Sequence, residues 1–189
     1  LKNIKIDEDF LKKVIDVNVD CIVLFKNYLD KKNIHNIDWN SILLSAIEKD
    51  GNFLQNLEHD FKDIKCNLNQ LYHKAVEQNG DAIYYVPCEN WDNVLVFKAI
   101  KSNYKSYYFI SDYQEKFFDN DDVTNLIKNY PDILPYMNSD KLSDEQIKLA
   151  IEKDPNFIAD LTYEKRTPEI CNLAFQKNPK LFNTFPSEY

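Results

Sequence analysis

Between Ser143 and Asp154 the apolar residues Ile147, Ala150 and Ile151 recur at helical spacing and share one face, which predicts a helix from about Asp144 to Lys153. Ser143 stands at the N-cap, and Gln146 at the third helical position completes a capping box. Asp154-Pro155 ends the helix, because a residue before proline avoids the α region, while proline is tolerated in the first turn of a new helix. A second helix, from about Pro155 to Thr162, then presents Phe157, Ile158 and Leu161. The following stretch repeats the logic. Thr167 caps, Pro168 takes the first helical position, Ile170, Leu173 and Ala174 form the stripe, and Asn178-Pro179 stops it. Asp38 before Trp39, Asn90 before Trp91 and Asn120 before Asp121 are further candidate N-caps.

This pattern is an internal repeat. Ala46 to Leu57 reads AIEKDGNFLQNL and Ala150 to Leu161 reads AIEKDPNFIADL, identical at eight of twelve positions. Clear copies of its core run from Ala75 to Gly80, Leu126 to Pro131 and Ala174 to Pro179, with weaker ones at Val14 to Val19 and Ala99 to Tyr104. Pro131, Pro155 and Pro179 lie 24 residues apart, as do Gly80 and Tyr104, while the steps from Val19 to Gly51, Gly51 to Gly80 and Tyr104 to Pro131 are 32, 29 and 27. One such hairpin cannot bury its apolar face alone, so neighbouring units must stack. The expected fold is all-α, an α-solenoid of about seven helix-turn-helix units with a period near 24 residues. It forms a single domain over 1–189, regular over 120–189 and looser, with insertions, over 7–119.

Units of the form helix, A-x-x-x-[DN]-[GP], second helix resemble a family of short uncharacterised helical repeats, a domain of unknown function found in giant viruses, some bacteria and their phages. The resemblance is good around Gly51, Gly80, Pro155 and Pro179 and poor around Val19 and Tyr104. It implies the fold. The family has no agreed activity, so no site residue follows from it.

Composition narrows the function. Gly occurs only 2 times in 189 residues, too few for tight hairpins or phosphate-cradling loops, and the G-x-x-x-x-G-K-[ST], G-x-G-x-x-G and H-E-x-x-H motifs do not occur. An ATP- or dinucleotide-dependent enzyme is therefore set aside, and no cofactor is expected. A net charge of -8 argues against holding nucleic acid by phosphate neutralisation and favours a basic partner. No run approaches the ~18 apolar residues of a membrane span, and the start lacks the apolar core of a signal peptide, so no membrane partner and a cytoplasmic location are expected. A chain beginning at Leu1 is expected to have lost an initiator, a tag or an upstream segment. The apolar end around Leu181, Phe182 and Phe185 points to a following segment or to self-association, with Pro186, Ser187 and Glu188 expected to fray.

The residues that could carry chemistry also suit plainer roles. Cys21, Cys66, Cys88 and Cys171 form no C-x-x-C pair and read as reduced packing residues. His59, Asp63 and Cys66 stand at i, i+4 and i+7, a helix face that zinc could use, yet a site needs four converging groups and His73 lies beyond a break at Asn67 to Asn69. No metal site is expected. Carboxylates such as Asp119, Asp121 and Asp122 precede a helix, where they favour its positive end, so no catalytic role is assigned.

The densest aromatic run is Tyr104, Tyr107, Tyr108, Phe109, Tyr113, Phe117 and Phe118. Tyr104, Tyr108, Phe109 and Phe117 are expected in the core, with Tyr107 and Tyr113 exposed. Asp112, Glu115, Asp119, Asp121 and Asp122 fall in the same segment, interrupted by Lys116, whereas lysines gather near the N-terminus at Lys2, Lys5, Lys12 and Lys13. Acidic groups among aromatic anchors have the composition of a docking patch for a Lys- or Arg-rich surface. The leading reading is a non-enzymatic protein-interaction module whose partner-binding residues are Tyr107, Tyr108, Asp112, Tyr113, Glu115, Asp119, Asp121 and Asp122. Replacing Tyr107, Asp121 and Asp122 together should then abolish binding and leave helicity intact. The alternative is a viral or phage inhibitor that blocks a host nuclease or ribonucleoprotein, such as an RNA-guided nuclease, by filling its basic channel.

Overall fold

Asp50, Asn79, Asn103, Asp154 and Asn178 each close one helix and open the next segment in the computed structural model, which describes residues 5–34 and 36–184. In every case the backbone N–H donates to the carbonyl of an alanine four residues earlier, at Ala46, Ala75, Ala99, Ala150 and Ala174. The side-chain oxygen meanwhile accepts from the N–H two residues on, at 2.9 to 3.2 Å. One short polar residue thus satisfies the last turn of one helix and the first of the next segment, which is why Asp or Asn recurs there, while Tyr130 before Pro131 makes the backbone bond without the side-chain cap. The alanines are fully buried and leave room for that segment to lie close.

All regular structure among the described residues is helical. The chain divides into two compact units, Leu1–Ser106 and Tyr107–Tyr189. The first holds α1 (Glu8–Val17), α2 (Cys21–Lys31), α3 (Trp39–Lys49), α4 (Leu57–Asp60), α5 (Leu68–Gln78) and α6 (Asn93–Ser102). The second holds α7 (Tyr107–Ile110), α8 (Gln114–Phe117), α9 (Asn120–Asn129), α10 (Asp144–Lys153) and α11 (Pro168–Lys177). Lys2, Phe185, Pro186, Ser187, Glu188 and the side chain of Phe182 lie outside the described residues.

The segment after each junction is a 3-10 helix, not the α-helix expected: Gly51–Asn56, Gly80–Tyr85, Tyr104–Ser106, Pro131–Tyr136, Pro155–Asp160 and Pro179–Thr184. The cause is local. Once the side chain of Asp154 holds Asn156 N–H and its carbonyl accepts from Phe157 N–H, the segment starts with i to i+3 bonds. The 3-10 helix therefore stops at Asp160, and Leu161 is buried beyond it. At Val19 the junction is followed by the full α-helix α2 instead.

In the first unit α3 packs on α1 and α5, α5 packs on α6, and the 3-10 segments at Gly51 and Gly80 pack on each other. In the second unit α10 lies between α9 and α11, and the 3-10 segments from Pro131, Pro155 and Pro179 pack in succession. The long helices supply paired buried positions, such as Leu71, Tyr72, Ala75 and Val76 in α5 and Leu95, Val96, Ala99 and Ile100 in α6. Four of the 3-10 segments add two apolar residues each, an alanine with an isoleucine in one and larger pairs such as Phe53 with Leu54 and Phe157 with Ile158 in the others. A fully buried side chain of this kind contributes about 1.5–3 kcal/mol.

The cap expectations divide. Ser143 with Gln146, Thr167 with Pro168, and Asp38 cap as expected. Asn90 does not. Trp91 is held by its indole N–H to the Val86 carbonyl at 2.9 Å, so the helix starts later with Asp92 as its cap. Asn120 gives way to Asp119, which forms a capping box with Asp122 and takes Asn120 into the helix.

Candidate functional site

The acidic-aromatic segment of the second unit begins at Tyr107, and Tyr107 is fully buried, contrary to expectation. Its hydroxyl donates to Gln114 Oε1 at 2.7 Å, and its ring stacks at 6.2 Å from that of Phe118. Burial drives its phenol far above the ordinary tyrosine range. The neighbour expected in the core, Tyr108, is 65% exposed. Two edge-to-face contacts brace it, to Phe109 at 5.6 Å and to Tyr136 at 6.4 Å. Tyr104 and Phe109 are half-buried rather than enclosed, whereas Phe117 is buried as expected and Tyr113 is exposed as expected.

The carboxylates fall into two groups. Asp119 and Asp122 hold each other's backbone N–H groups in the capping box, at 2.8 and 3.3 Å, and so have a local structural task. Asp112, Glu115 and Asp121 are exposed, and Glu115 pairs with Lys141 at 3.2 Å. Lys116 lies over the Phe117 ring, 4.9 Å from its centre. The segment thus places Tyr108, Asp112, Tyr113, Glu115 and Asp121 at the surface, buries Tyr107, and commits Asp119 and Asp122 to the helix cap.

Two residues absent from the sequence expectation join this surface. Tyr136 ends the 3-10 helix Pro131–Tyr136, which packs on α7, and Asp132 is exposed in its first turn. Their signal was present in the repeat, since Tyr85 ends the 3-10 helix Gly80–Tyr85 at the matching place. From 107 to 140 the chain has seven carboxylates against two lysines, so this stretch carries more than half of the net charge of -8.

The other chemistry is accounted for locally. α4 ends at Asp60, so His59, Asp63 and Cys66 do not share a helix face, and His73 faces Asp92 at 3.6 Å. Among the described residues no group of three His, Cys, Asp or Glu is placed to hold a metal ion. Burial raises the thiol pKa values of Cys66 and Cys171, away from the reactive thiolate. A cleft of about 390 Å³ in the second unit is lined by the first turns of α10 and α11. Lys148 and Glu169 pair within it at 2.8 Å, and that hydrogen bond raises the lysine pKa. Among the described residues no helix is long and apolar enough to cross a membrane.

No family model matches the chain, and no curated protein and no solved structure matches it.

Proposed function

We propose that the chain is a non-enzymatic protein-interaction module, a helical repeat array of the α-solenoid type that binds a basic protein surface. The carrying observation is the segment of residues 107–140, which exposes Asp112, Asp121 and Asp132 together with the ring of Tyr108. The array reading is supported by the recurrence of one junction: six of the seven expected repeat positions, all but Val19, open a 3-10 helix. A partner rich in Lys and Arg complements the charge and orients in its field before contact.

The test is a variant carrying Asp112→Asn, Asp121→Asn and Asp132→Asn, all exposed and none in the capping box. With each exposed charge contributing on the order of 0.5 kcal/mol, affinity for an oligo-lysine peptide should fall roughly tenfold with helix content unchanged. Unchanged affinity refutes the site. Tighter binding of single-stranded RNA than of the peptide by the original chain refutes the partner class. Replacing Tyr107 or Asp122, as the sequence suggested, would disturb the core and a helix cap instead.

A further inference from the structure

We infer that the Tyr108 ring is a seat for the guanidinium group of an arginine in the basic partner, a deepening that rests on the interaction-module reading. The ring is two-thirds in water, so it adds little to the core, yet it is not left to rotate. Phe109 meets it at an interplanar angle of 79° and Tyr136 at 77°, and Tyr136 is itself half-buried at the end of its 3-10 helix. An exposed aromatic ring fixed by two others is an anchor prepared before binding, because its rotamer freedom is already spent. In each contact the edge of one ring meets the face of the other, and the exposed part of an aromatic surface attracts a cation.

The surroundings decide which anchor partner fits. An apolar insert would have to approach through a stretch of seven carboxylates and two lysines, whereas a cation is drawn in by it. Between the two cationic side chains, guanidinium is the better fit. It is planar, stacks on a tyrosine face, is less strongly hydrated than an ammonium group, and keeps N–H donors at its rim for neighbouring carboxylates. Asp112 follows α7 within the adjoining 3-10 turn, and Asp132 lies in the same 3-10 helix as Tyr136, four residues before it.

The test is titration of the full chain with oligo-arginine and oligo-lysine peptides of equal length at low salt, using the original protein, Tyr108→Leu and Tyr108→Phe. Oligo-arginine should bind more tightly than oligo-lysine. Tyr108→Leu should weaken oligo-arginine roughly two- to fivefold, the range of an exposed cation–π contact, and affect oligo-lysine less. Tyr108→Phe keeps the ring and should stay close to the original. Because Tyr108 is exposed, thermal melting of all three should agree, which separates a lost contact from a lost fold. If Tyr108→Leu binds oligo-arginine as well as the original chain, the arginine seat is overturned while the basic-partner reading stands. If neither peptide binds the original chain, both are overturned.

Discussion

In the second unit Tyr107 joins α7 to α8 through one buried hydrogen bond. Its hydroxyl and Gln114 satisfy each other in a site closed to water, so Tyr107→Phe leaves the Gln114 oxygen without its donor and should cost about 1–3 kcal/mol in urea unfolding at neutral pH. The same residue sets an alkaline limit. Its folded pKa lies well above the unfolded value of 10.0, so the neutral phenol's contribution is intact below pH 10. Above that the unfolded chain ionises and the folded one does not, and stability falls with each further step in pH. Unfolding free energies measured from pH 9 to pH 11 should decline less steeply in Tyr107→Phe than in the original, and parallel curves would exclude this origin. The sequence assigned exposure to Tyr107 and burial to Tyr108, the reverse of the structure. The reason is phase. Helical periodicity assumes an unbroken helix, but from Tyr104 to Phe117 the chain alternates 3-10 turns with single α turns, and each switch rotates the side chains that follow.

The elements themselves were more legible than their types. Helix starts with a capping residue and an apolar stripe, as at Ser143 and Thr167, can be read from local chemistry, and the repeat located most junctions. The 3-10 character of the following segments was hidden, because Phe157 and Ile158 suit either helix and the i to i+3 bond that opens the segment, from Phe157 N–H to the Asp154 carbonyl, leaves no mark in the apolar pattern. The junctions also explain both glycines without recourse to unusual torsions, since neither has a positive φ. A Cβ on Gly80 would lie 2.3 Å from the Ala99 carbonyl oxygen and 2.9 Å from Asn103 N, both backbone atoms of the neighbouring layer. At Gly51 the closest atom is the Ala75 carbonyl at 2.5 Å, with the Gln78 side chain next. Gly80→Ala must push α6 away from the junction and should destabilise by about 1–3 kcal/mol, with Gly51→Ala costing less because only one backbone atom there lies within 3.0 Å, against two at Gly80. Equal or smaller loss at Gly80 in chemical denaturation would contradict the close-packed junction.

Across the whole chain, charge is arranged in two ways that salt should separate. Along successive helices acidic and basic groups pair, Glu48 with Lys74 at 3.8 Å, Glu77 with Lys98 at 3.7 Å and Lys148 with Glu169 at 2.8 Å. Such exposed pairs contribute about 0–1 kcal/mol each, so screening them takes little from the fold. The carboxylates of residues 107–140 outnumber the lysines of that stretch seven to two, and with Glu115 paired to Lys141 the attraction for a cationic partner is the summed field of the remaining excess. At about 0.1 M salt the screening length is near 10 Å, so that attraction fades steeply as salt rises. Raising salt from about 0.05 to 0.5 M should therefore move the melting temperature by only a few degrees, while affinity for a basic peptide falls by roughly tenfold or more. Persistent affinity at high salt would assign recognition to apolar contact and remove charge complementarity from the binding surface. A matching collapse of the fold would instead make the paired helix charges part of what holds neighbouring helices together.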